Sequence, residues 1–321
     1  MSAKHSQGRT MSTLEDIRFA RAYLMRVAEP PAPYLTQLVA EAGAVAAAER
    51  VRTGALADRV RAETDAQRHL THRDVEIDLA RGHQTGARLL IPEDADWPAD
   101  ALVALTQAHA RGLSWAVPPL GLWVQGTGRL RPLLRRAVAV VGARSATSYG
   151  THIAAEIADG LAERNITVMS ASAEGVDRAA HLGALVKSGA TIAALGHGID
   201  RSLSRRHRQL LERVAEGGLV ISEYPPGAPP ARRRFAARNR LIAVLTSGTV
   251  VVEAGQWSAW LDSATSVTAL GRTLMAVPGP VTSAMSFACH RMIRDRIAVL
   301  VASAADVAQS VSLDKDETPI A

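Results

Sequence analysis

Between residues 225 and 243 the chain places a Pro-rich approach (Pro225, Pro226, Pro229, Pro230) before three consecutive arginines, Arg232, Arg233 and Arg234. A lone aromatic, Phe235, and the triplet Arg238-Asn239-Arg240 follow directly. The apolar residues Leu241, Ile242 and Ala243 then predict a helix that enters a core. A helix start attracts anions through its free N–H groups and the positive end of its dipole. Arginines add bidentate donors for phosphate oxygens, and a ring beside them can stack on a base. The combination is a phosphate-reading surface.

Other segments hold groups of the same kind. In Val141-Gly142-Ala143-Arg144-Ser145-Ala146-Thr147-Ser148, Gly142 permits a sharp turn, Arg144 projects from a strand end, and Ser145, Thr147 and Ser148 offer hydroxyls. The segment either holds a phosphate or is an ordinary capped turn. Ser170-Ala171-Ser172-Ala173-Glu174-Gly175-Val176-Asp177 is built of small residues that allow a ligand close to the backbone, and Asp177 is placed to cap a helix. His181, on an Ala-rich helix, reads as a packed, hydrogen-bonded histidine more than as a catalyst. Leu195-Gly196-His197-Gly198-Ile199-Asp200 carries a G-x-G without the third glycine of a dinucleotide fingerprint. Arg201, Arg205, Arg206 and Arg208 follow it, and about half of such a cluster is expected on a solvated helix face. Glu253 closes an apolar strand, where a buried carboxylate needs a partner. An arginine of the Arg238-Asn239-Arg240 helix is expected to supply it, so Glu253 reads as structural rather than as an acid–base group.

These loops connect a regular alternation. Apolar strand-like runs at Ala137–Val141, Ile166–Ser170, Thr191–Leu195, Leu219–Ser222, Thr249–Glu253 and Thr273–Val277 are separated by helical segments. In one of those, Ile153, Ile157 and Leu161 recur every four positions. Uninterrupted apolar strands between helices predict an α/β fold: a doubly wound, parallel sheet covered on both faces. Ligands bind such sheets beyond the carboxyl ends of the strands, where the loops above lie. Weaker strands are expected at Leu89–Ile91, Leu120–Val124 and Ala298–Val301. Residues 14–66 show helical spacing broken at Pro30-Pro31 and Gly43. The expected organisation is a disordered tail (1–12), a small helical module (13–70), the doubly wound domain (71–312) and a polar tail (313–321).

A formal net charge of +6 and a sequence pI of about 10.1 make polyanions plausible partners. An Arg-rich composition raises arginine everywhere, so only clustered arginines count as a site. Cys289 is the sole cysteine, which excludes an internal disulfide and a cysteine-built zinc site and suits a reducing compartment. No apolar run is long enough to span a bilayer, and Met1 to Thr13 lacks the apolar stretch of a signal peptide. A cytoplasmic protein with no membrane partner and no cofactor is expected.

Taken in order, the loops resemble the DNA-processing protein A family, also called Smf, of which the chain looks like a divergent member. The resemblance rests on Val141-Gly142-Ala143-Arg144, Gly175-Val176-Asp177 with Ala180-His181 and Gly183-Ala184, and Gly196-His197-Gly198-Ile199-Asp200. It continues through Ser222-Glu223-Tyr224-Pro225-Pro226-Gly227, Phe235 with Arg238-Asn239-Arg240, Val252-Glu253-Ala254, Gly271-Arg272 and Val277-Pro278-Gly279, covering roughly residues 85 to 310. It implies an extended Rossmann-like domain with a mostly parallel sheet, in a non-enzymatic protein that binds single-stranded DNA in a basic groove, usually as a homodimer. Such proteins protect incoming strands during natural transformation and help load a RecA-type recombinase. By motif, Arg144, Phe235, Arg238, Asn239 and Arg240 would face the strand, with Gly142, Gly175 and Gly198 near phosphates. Ser145 and Ser170 join them as hydroxyl donors, and Arg233 and Arg234 on charge grounds.

The chain departs from the family pattern at Ser170-Ala171-Ser172, Glu174, Leu203-Ser204, Ala259-Trp260, Ser263, His290 and Arg296-Ile297. Several of these replace glycines, so a Cβ now stands where positive φ or close approach is usual. The groove is then reshaped, or binding is weakened. No room is expected within these 321 residues for the winged-helix-like domain of many members. Two other readings stand beside single-strand binding. One is an enzyme similar to the phosphoribohydrolases, whose glycine-rich loop and glutamate Ser247-Gly248-Thr249 to Glu253 distantly resembles. The other is a DNA-inactive scaffold. The leading reading requires arginines from separate crossovers to converge along one rim of the sheet, free of acidic neighbours.

Overall fold

The computed structural model describes residues 12–67, 69–256 and 258–313. The expected tails therefore fall outside the described residues, apart from one residue of each. The N-terminal segment folds as α1 (Leu14–Val27), α2 (Pro33–Ala42), α3 (Ala44–Thr53), α4 (Asp58–Thr64) and α5 (His72–Gln84). Thr13 opens α1 with a capping box closed by Asp16, and Thr71 with Asp74 does the same for α5. The breaks at Pro30-Pro31 and Gly43 lie between α1 and α2 and between α2 and α3.

The chain continues as β1 (Ala87–Leu90), α6 (Ala99–Ala110), β2 (Leu122–Gln125), α7 (Leu130–Leu134) and β3 (Ala137–Val141). Next come α8 (Ser148–Ala162), β4 (Thr167–Ser170), α9 (Val176–Val186), β5 (Thr191–Leu195), α10 (Arg205–Gly217) and β6 (Gly218–Ser222). The last third holds α11 (Arg232–Leu245), β7 (Gly248–Val251), α12 (Ala259–Ala269), β8 (Thr273–Ala276), α13 (Phe287–Arg294), β9 (Val299–Leu300) and α14 (Ala304–Ser310). The six runs read as strands all form strands, within two residues at every end.

The described residues build one nine-stranded sheet in the order β1-β2-β6-β5-β4-β3-β7-β8-β9. β6 through β9 are mutually parallel, while β1 and β2 add an antiparallel edge. From β3 the chain winds outward to β6, then returns to lay β7 on the other side of β3. That reversal puts the switch point of the sheet at the carboxyl ends of β3 and β7, where a crevice opens in such folds.

Strand residues alternate between two cores. Ala139 and Val141 of β3 pack with Leu241, Leu245, Val267 and Leu105 beneath α6, α11 and α12. Val138 and Val140 pack with Ile157, Leu161 and Ala180 beneath α8 and α9. This is why β3 to β7 are buried along their whole length and read as continuous apolar runs. The N-terminal helices share a third core with the sheet, in which Leu24, Leu35 and Val51 meet Leu89, Trp123 and Val220. Arg18 fastens them with paired bonds to Asp94 (2.8 Å each), and Arg21 does so with Glu93 (2.8 Å each). No helix among the described residues is long and apolar enough to cross a membrane.

Candidate nucleic-acid interface

The rim formed by the carboxyl ends of β3, β4 and β5 brings two predicted residues from distant crossovers together. Arg144 leaves β3 into solvent, and Phe235 lies in the first turn of α11, half-buried. The Arg144 guanidinium sits over the Phe235 ring, 5.1 Å from its centroid. Gly196, at the end of β5, lets the ring lie close: a Cβ there would stand 2.8 Å from Phe235 Cδ1. Arg232 and Arg233 are exposed on the same turn, and Ser145 is exposed beside Arg144.

The rest of the arginine segment turns inward. Arg238, Asn239 and Arg240 are 6%, 7% and 4% exposed, which corrects the expectation that they face a strand. Arg240 donates to both Glu223 carboxylate oxygens at 2.7 and 2.6 Å, and through Nε to Val117 O. Arg238 donates to Ala194 O at the end of β5 and, at 3.1 Å, to Asn239 Oδ1. Burial pushes the Arg238 guanidinium down to about 10, partly offset by the Asp177 carboxylate nearby. Desolvation in turn lifts Asp177 to about 6. From Arg238 onward α11 is buried on every side, because it runs between the sheet and α6 and α12. Its arginines are therefore the bonds that hold it there.

Arg234 is also engaged. It pairs with Glu29 of the N-terminal module, donates to Pro229 O at 2.7 Å, and lies 5.0 Å over the Tyr224 ring. Arg233 reaches the same Glu29 at 3.4 Å from a side chain 72% exposed, a surface pair of small worth. The expected trough free of acids is thus only partly realised. Arg144, Arg232 and Arg233 line it, while Arg234, Arg238 and Arg240 are structural.

The expected phosphate contacts at the loops change for equally local reasons. Ser170 is fully buried and spends its hydroxyl on Val140 O at 2.7 Å. The Gly142 N–H is taken by Asp177 and the Gly198 N–H by Ala228 O at 2.9 Å, which leaves neither for a phosphate. Gly175 has φ +79°, and a Cβ there would stand 2.3 Å from Ala143 O, so the crowding of two loops requires glycine. Glu253, 1% exposed, does not meet an arginine of α11, which corrects that expectation. Its oxygens accept from the N–H (2.9 Å) and hydroxyl (2.6 Å) of Thr147, the N-cap of α8. The carboxylate at the start of a helix and against its dipole finds its partner locally.

The acids Glu29 and Glu223 were not identified as partners in the sequence. Glu223 did carry a signal, since a carboxylate directly after an apolar strand must be neutralised if it is buried. The pair Ser172 and His207, across the β4–α9 loop, was likewise unanticipated: Ser172 Oγ and His207 Nε2 are 3.0 Å apart.

The profile of the family described as DNA recombination-mediator protein A matches residues 88–312, and the chain belongs to that family. It is 45% identical over 292 residues to a Mycobacterium tuberculosis protein named for DNA processing (DprA), spanning 91% of this chain and 74% of that one. Against Smf of Escherichia coli it is 34% identical over 223 residues, 69% of this chain and 56% of the relative. Among solved structures, DNA processing protein A from Streptococcus pneumoniae superposes with a TM-score of 0.73 at 26% identity, covering 96% of this chain and 100% of that one. The Helicobacter pylori protein, whose structure is described in terms of its single-stranded DNA binding mode, gives a TM-score of 0.56 at 25% identity, over 62% and 90%. The α/β, Rossmann-like architecture expected from the sequence is therefore that of this family, which places the chain in DNA processing and recombination.

Proposed function

We propose that the protein binds single-stranded DNA without regard to sequence, along the rim where β3, β4 and β5 end. The observation that carries this reading is the stacked pair Arg144 and Phe235. An exposed guanidinium lying on a ring offers phosphate donors and an aromatic face at one point, and a nucleotide presents a phosphate and a base. Arg232 and Arg233 extend the cationic surface, and a phosphate can replace the weak contact of Arg233 with Glu29. Ser145 and the Gly175 backbone complete the contacts. The Helicobacter pylori relative, described as a single-strand binder, supports the same reading.

In the cell this activity serves DNA uptake, natural transformation and recombination in the cytoplasm: the protein shields incoming strands and assists loading of a RecA-type recombinase. It works as a homodimer. The open edge at β9, where Val299 and Leu300 are 49% and 51% exposed, supports pairing with a second copy. A nucleotide-hydrolase reading would need Glu253 free for acid–base work, and Thr147 already engages it. The domain limits near residues 12, 70 and 312 belong to this reading as well.

The test compares gel shifts on single- and double-stranded oligonucleotides with an assay for base released from nucleoside monophosphates. Preferential retardation of the single strand without base release is expected. Base release, or no shift of the single strand, would contradict the reading.

A further inference from the structure

Ser172 lies in the loop from β4 to α9, and its surroundings give the hydroxyl one direction. His207, 6% exposed in the first turn of α10, accepts the Leu203 N–H at Nδ1 (3.3 Å). Its proton is therefore on Nε2, which donates to Ser172 Oγ at 3.0 Å. Burial pushes the imidazole down to about 4, so it stays neutral and keeps this tautomer across the neutral range. The arrangement runs opposite to a nucleophile–base pair, because the basic nitrogen faces the backbone and cannot take the serine proton. With its oxygen accepting from His207, the half-buried Ser172 is left to donate its own hydrogen. No acceptor for it exists among the described residues.

The position of the loop gives that hydrogen a direction. On one side Gly175 packs against the carbonyls of Ala143 and Arg144. On the other side His207 brings α10, where Arg205, Arg206 and Arg208 are exposed. Among the described residues the Arg208 guanidinium reaches only Ser202 Oγ (3.3 Å), and none of the three arginines pairs with a carboxylate. Cations in a first helical turn oppose the dipole, a cost that a bound polyanion offsets. Resting on the single-strand reading above, we infer that Ser172 is a phosphate-binding residue that leads the strand from Arg144 and Phe235 onto the arginines of α10, with His207 as its positioning residue.

The experiment is a fluorescence anisotropy titration of the full chain with short labelled oligo-dT at two salt concentrations. Ser172→Ala is expected to weaken binding about tenfold or more, as for loss of one hydrogen bond to a charged group, at unchanged melting temperature. His207→Gln retains an N–H donor and is expected to stay within about twofold of wild type, while His207→Leu matches Ser172→Ala. The double variant Ser172→Ala/His207→Leu adds no further loss, since the two residues act as one unit. Replacing Arg205, Arg206 and Arg208 by Gln is expected to flatten the slope of log K against log salt by about 1 to 2. If Arg144→Ala weakens binding and Ser172→Ala does not, the inference is overturned and the single-strand reading survives. If the wild type shows no salt-sensitive binding, that reading fails and this one with it.

Discussion

Arg240 and Glu223 form a closed bidentate pair with bonds of 2.7 and 2.6 Å, and each side chain is only 4% exposed. Glu223 follows β6 and Arg240 lies in the middle of α11, so the pair ties the helix to the sheet that positions Phe235. Removing one partner leaves the other charge buried. Arg240→Ala is expected to lower unfolding stability by about 3–5 kcal/mol, read from urea denaturation. Its effect on DNA should follow the folded fraction. An unchanged urea midpoint would show that the pair does not hold the helix.

Arg296 occupies a left-handed backbone position, φ +58°, a region that favours glycine. A side chain there crowds its own carbonyl. Replacement by glycine relieves that strain but gives the unfolded chain more freedom. Arg296→Gly is expected to stabilise the fold by about 0.5–1 kcal/mol, seen as a higher melting temperature. A lower one would mean that the arginine makes compensating contacts.

Asp78 of α5 is 2% exposed, and Arg26 Nε, at 3.5 Å, is its nearest ion-pair partner. Desolvation lifts its carboxyl to about 6, against an ordinary 3.8, with Arg26 and Arg81 opposing. A raised carboxyl favours the folded state while protonated, and that contribution is lost as pH rises from about 4 to about 6. Asp78→Asn removes the titration. The variant is expected to gain stability relative to wild type at pH 8 compared with pH 4.5, by about 2 kcal/mol. A difference independent of pH would contradict the assigned burial cost.

Strand positions were legible because each interior strand is buried on both faces and so appears as an unbroken apolar run. The site was legible only in part. Residue types give charge but not direction, and in Phe235 to Ala243 a single helix turns from solvent into the core. Phe235 remains on the rim, whereas Arg238 and Arg240, one turn later, face carbonyls and Glu223. Glu29 neutralises Arg234 from 205 positions earlier, a contact that no local pattern encodes. Glu253 misled in the opposite way: its partner, Thr147, is neutral and belongs to the loop beside it.

Strand binding depends most on Arg144 and the half-buried Phe235 above the end of β3. The direct measurement is the affinity for oligo-dT at two salt concentrations, for wild type, Arg144→Ala and Phe235→Ala. Arg144→Ala is expected to weaken binding about tenfold and to reduce the salt slope by about 0.7, the share of one phosphate contact on a single strand. Phe235→Ala is expected to lose about 1–3 kcal/mol with the slope unchanged, because stacking releases no counterions. Affinities equal to wild type in both variants, at intact melting temperature, would contradict strand binding at this pair.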